Sequence, residues 1–129
     1  MMSAGAAKYY DLYNANVALA AEMEEQFSNH RGWSCVVRFY AALHLMNAYL
    51  VNKPNIRFDP ESTEHKARTH AMGQCPELRD APQKYRNLKN LSESVRYDVN
   101  YEFADEDREN SIAWLDKIVA IVEPKVTKA

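Results

Sequence analysis

The stretch from Trp33 to Leu50, WSCVVRFYAALHLMNAYL, constrains this chain more than any other. Wound as a helix it is apolar around nearly its whole circumference, and it contains neither glycine nor proline. A helix of that kind has to be covered by neighbours on most of its surface, so the rest of the chain must surround it. Only 3 glycines and 5 prolines occur in 129 residues, too little turn punctuation for a domain of many short strands. The expected fold is all-α: an up-and-down bundle of four main helices plus one short helix. It forms one domain, residues 1–129, with its core at about residues 6–123.

The flanking segments supply the surrounding helices. From Ala6 to Ser28, two adjoining apolar stripes run along one face: Tyr10, Tyr13, Val17 and Ala20, then Leu12, Leu19, Met23 and Phe27. Asn29-His30-Arg31-Gly32 stops this helix, with Gly32 suited to a left-handed turn. The central helix follows from Trp33 to Val51, ended by Asn52-Lys53-Pro54-Asn55. Asp59-Pro60-Glu61 combines a capping carboxylate with proline at the first helical position, and starts a short polar helix over Pro60 to Met72. Asp80-Ala81-Pro82 opens another long helix to Tyr97, with Tyr85, Leu88, Leu91 and Val95 as its apolar stripe. The acidic turn Asp105-Glu106-Asp107 begins the last helix, which Pro124 is expected to end.

Charge and special residues narrow the chemistry. A formal net charge of −2 gives no general excess for phosphate backbones, leaving only a local basic patch for that purpose. Cys35 and Cys75 form no CxxC pair, and no disulfide framework or zinc site follows from them. His65 and His70 lack the helical spacing of a metal pair, so neither a metal nor any other cofactor is expected. No basic-then-apolar leader opens the chain, and Arg38 and His44 interrupt its longest apolar run. A cytoplasmic protein with no membrane span is expected.

Three polar sets are candidates for a site. Arg38 and His44 satisfy R-x5-H as a string, yet stand roughly 120° apart around a straight helix, so they would meet only across two copies of the chain. In a phosphodiester cleavage His44 would move protons while Arg38 stabilised charge on phosphate; otherwise both are satisfied interior groups. Tyr85, Lys89, Ser92 and Arg96 share one helix face, as a phosphate or nucleotide site or as a solvated face with Glu93 and Asp98 as ion-pair partners. His65 and Arg68 share a face of the short helix, as an anion site or as an exposed polar cover over the bundle's end.

WSCVVRFYAALHLMNAYL, followed by STEHKAR and then KYRNLKNLSESVRYDVNYEF, resembles the HEPN (higher eukaryotes and prokaryotes nucleotide-binding) domain family, from about Tyr13 to Val122. The resemblance implies a four- or five-helix bundle that often dimerises. RNA-cutting members carry R-x4–6-H late in the domain; the matching arginine here is Arg96, and no histidine follows it. What the resemblance implies is thus a non-catalytic, homodimeric module that binds a nucleotide, RNA or protein partner near Arg96, Lys89, Arg38 and His44. The alternatives are a metal-independent ribonuclease of toxin type, using Arg38 and His44 across a dimer, and a helical scaffold with no small ligand. By analogy with the family, a nucleotidyltransferase-like chain is the candidate partner protein.

Overall fold

The computed structural model describes residues 2–26, 31–61 and 65–128. All regular structure among them is helical: α1 (Ala4–Gln26), α2 (Arg31–Leu50), α3 (His65–Gly73), α4 (Ala81–Tyr97) and α5 (Asp105–Thr127), with a 3₁₀ turn at Pro76–Leu78. The all-α bundle is the architecture the glycine-poor, helix-periodic sequence calls for. Helix α2 is its axis, packing against α1, α4 and α5, while α4 and α5 also pack on each other. Phe39, Leu45, Met46 and Leu50 of α2 meet Tyr85 and Leu88 of α4 and Ile118 and Val122 of α5 in the core. No helix among the described residues is long and apolar enough to cross a membrane.

Local chemistry fixes the helix ends. The Ser3 hydroxyl accepts the Ala6 N–H at 3.1 Å, satisfying one of the free amides at the start of α1. At α5 the Asp107 carboxylate accepts the Ala104 N–H at 3.0 Å, and the acidic turn 105–107 meets the positive end of the helix dipole. Glu77 ties the 3₁₀ turn to the end of α2, accepting from the Tyr49 hydroxyl and from Lys53 Nζ at 2.9 Å. Arg79 follows with φ 52° and ψ −122°, then Asp80 with −93° and 6°. These are the angles of a type II′ turn, whose first central position favours glycine.

Four expectations need correction. Only part of the α1 stripes is covered: Ala6, Tyr9, Tyr13 and Ala20 are buried, whereas Leu12, Val17 and Leu19 are exposed. The reason is that α1 packs chiefly on α2, and one neighbour cannot cover so wide a face. Its expected end at Ser28, Phe27 of its second stripe, and Asn29 and His30 of the stop lie outside the described residues. Gly32 stands in the first turn of α2, without positive φ; a Cβ there would lie 3.2 Å from Val95 Cγ1 and 3.6 Å from the Phe103 ring. It therefore serves a close approach of α2 to the α4–α5 side, not a left-handed turn.

The short helix begins later than expected. Pro60 and Glu61 form a turn in which the Glu61 N–H donates to Asp59 Oδ1 at 3.0 Å; the side chain holds a local turn, and described helix begins at His65. Residues 62–64 lie outside the described set. Finally, Pro124 does not end α5, which runs on to Thr127. Proline removes one helical N–H, but burial of Val126 and the Lys128 N–H bond to the Pro124 carbonyl hold the last turn.

Candidate anion-binding site

Two cavities open on either side of His65. The larger, about 460 Å³, is a groove between α3 and α4. His65, Lys66, Thr69 and His70 line it from α3, and Pro82, Tyr85, Arg86, Lys89 and Asn90 from α4. On each helix these positions form one stripe at helical spacing, so two stripes face each other across the groove. Among the described residues, none of the lining side chains is a carboxylate. The nearby Glu93 is engaged with Lys89 Nζ at 2.8 Å. Lys66, Arg86 and Lys89 and two imidazoles thus give this concavity the donor chemistry that an anion would need.

The smaller cavity, about 340 Å³, is bounded by Tyr9 and Lys8 of α1, Tyr40, His44 and Asn47 of α2, Glu61, and His65 and Arg68 of α3. Arg68 is only 2% exposed; its Nε donates to the buried Asn47 Oδ1 at 2.8 Å, and its guanidinium lies over the Phe58 ring. Glu61 accepts from the Tyr9 hydroxyl and from Lys8. His44 and His65 each have a shielded Nδ1 with no hydrogen-bond partner among the described residues. Burial pushes both imidazoles below their ordinary pKa. Arg68 adds to this at His44; at His65 the cations Lys89, Arg68 and Arg96 add to it while Glu93 opposes. Both surroundings thus favour the neutral ring.

The residues singled out from the sequence do not converge on one place. Tyr85, Lys89 and His65 line the α3–α4 groove, and His44, His65 and Arg68 border the second cavity. Arg68 is not part of an exposed polar cover, because its guanidinium is taken into the interior beside Asn47. Ser92 shares their helix but is 0% exposed, with its hydroxyl unpartnered among the described residues, so it is withdrawn from the groove. Arg96 is held between two aromatic rings, at 5.6 Å from the Tyr40 centroid and 4.8 Å from that of Tyr97. Its Nη1 donates to both hydroxyls, at 3.0 and 3.2 Å.

Arg38 belongs to a different cluster. At 6% exposure, it donates to Glu24 Oε1 at 2.9 Å and to the hydroxyls of Ser34 and Ser111 at 3.2 and 3.1 Å. Glu24 also accepts from Ser34 at 2.6 Å and from Arg108 Nε. Burial alone would raise the Glu24 pKa, but hydrogen bonds from Ser34, Arg108 and Arg38 outweigh it and hold the carboxyl at about 2. Arg38 and His44 thus look into separate surroundings within one chain, as their angular separation on the helix requires.

Sequence reasoning missed Glu24, Ser34 and Ser111 as partners of Arg38, Arg108 as a second cation on Glu24, and Lys66, Arg86 and Asn90 as walls of the groove. For the walls a signal was present: Pro82, Arg86, Lys89 and Asn90 recur at spacings that share a helix face. For Arg38 there was none, because Glu24 and Ser111 come from opposite ends of the chain. Comparisons with known proteins give no match: no family model, no curated protein and no solved structure matches the chain.

Proposed function

We propose that this protein is a non-catalytic helical module of HEPN type that binds a phosphate-bearing ligand, a nucleotide or RNA, in the groove between α3 and α4. The observation that carries this reading is the composition of that groove: Lys66, Arg86, Lys89, His65 and His70 converge on one concavity with no carboxylate among its described walls. A net charge of −2 over the whole chain makes such local segregation of positive charge informative. Arg96 is held against Tyr40 and Tyr97 and does not line the groove.

The test is a thermal-shift and fluorescence-anisotropy titration with mononucleotides and short RNAs, performed in chelator. Binding to the native state raises the melting temperature, and Arg86→Ala together with Lys89→Ala should abolish the rise. A flat response of the wild-type protein to every nucleotide and RNA would leave a scaffold without a small ligand. Cleavage of RNA in chelator, lost in His44→Ala, would replace the binding reading with the ribonuclease one.

A further inference from the structure

Resting on the binding reading above, we infer that the α3–α4 groove selects a terminal phosphomonoester, a dianion, over the singly charged diesters of a chain interior. Three cationic side chains, Lys66, Arg86 and Lys89, face one another across this groove, and among the described residues Glu93 forms its ion pair with Lys89. Their mutual repulsion is relieved more by two negative charges on one group than by one. Among the described residues the groove's one phenol ring, Tyr85, is 1% exposed and offers no open face to a base, so recognition falls chiefly to the phosphate, with Thr69 and Asn90 as neutral hydrogen-bonding groups.

His65 gives this selection a proton signature. Lys89, Glu93 and Arg96 act on it from α4, and Arg68 from its own helix. The second cavity, which it also walls, adds His44 and Tyr40 of α2, Tyr9 and Lys8 of α1, and Glu61. Tyr85, Lys66 and His70 stand with it in the groove. Burial first, and then the surrounding cations, hold the pKa of the free ring below its ordinary value. A dianion seated beside it reverses the local sign and raises its pKa. A group whose pKa is higher in the complex takes up a proton on binding, and affinity climbs as pH falls from neutrality. The climb stops near pH 6, roughly where a phosphomonoester loses its own second charge.

The experiment is calorimetric titration of the full chain at pH 7 with one short oligoribonucleotide carrying a 5′-phosphate, a 3′-phosphate or neither. Two phosphate-free buffers of different ionisation heat report protons taken up. Either terminal phosphate should tighten binding on the order of tenfold over the unphosphorylated oligomer. Uptake should vanish in His65→Gln and persist in His70→Gln. Arg86→Ala, a change in the groove wall away from the core, should erase the preference for the phosphorylated ends. Equal binding of all three oligomers overturns the selection and leaves the binding reading intact, whereas no binding of any overturns both. Uptake that survives His65→Gln removes His65 from the mechanism.

Discussion

Replacing Glu24 by glutamine tests the buried charge cluster. Glu24 holds Arg38, which is 6% exposed, and also meets Ser34 and Arg108. Its carboxyl lies at about 2 against an ordinary 4.5. At about 1.4 kcal/mol per unit, the ionised form contributes roughly 3 kcal/mol to stability at pH 7. Breaking a buried ion pair on one side costs a similar amount, about 3–5 kcal/mol, because the remaining charge loses its partner. Glu24→Gln should therefore lower the free energy of unfolding in urea by about 3 kcal/mol at pH 7, and the melting temperature by roughly 10 °C. The sign of the pH dependence follows from the depressed folded pKa. The contribution is complete above the unfolded pKa and is lost as pH falls through about 2, so the gap between wild type and variant must close on acidification. A double change, Glu24→Leu with Arg38→Met, should recover much of the loss, since apolar replacement of a buried pair is often neutral. A Glu24→Gln protein within about 1 kcal/mol of wild type at pH 7, or a gap constant with pH, would refute this account of the cluster.

Three further substitutions probe other features. Arg79→Gly relieves a left-handed backbone in the type II′ turn and should raise stability by about 1 kcal/mol in urea melts; a loss would mean the side chain is needed there. Gly32→Leu forces a side chain against Val95 and Phe103 and should cost about 2 kcal/mol, read as a fall in melting temperature. Ser92→Ala removes a hydroxyl that is buried and unpartnered among the described residues. It should be neutral or stabilise by up to about 1 kcal/mol, and should leave the ligand titration unchanged.

The bundle was legible because α2 is hydrophobic all round, and such a helix admits few environments. Helix ends were readable where a side chain acts locally, as at Tyr97 and at the acidic turn of α5. They were misjudged where tertiary packing decides. Val126 carries α5 past Pro124, and Val95 with Phe103 draws Gly32 into a helix instead of a turn. The site divided along the same line. A helix stripe shows which residues share a face, so Tyr85 and Lys89 were found together with Ser92. It does not show how deep each position sits, so the burial of Ser92 was invisible. Arg38 could be seen to need a carboxylate, but the choice of Glu24 depends on how α1 lies along α2.

The two walls of the groove are anchored unequally. Helix α4 is built into the core along its length against both α2 and α5, whereas α3 is described over nine residues and is anchored at fewer points, through Ala71 and Met72 in the core, the Arg68–Asn47 bond and its contact with α4. Amides of α3 can thus exchange by a local opening that leaves the other helices closed, while those of α2 must wait for the whole molecule to unfold. An anion bridging Lys66 to Arg86 would act as a clasp between the tight wall and the loose one, and occupancy would be written in the exchange rates of that one short segment.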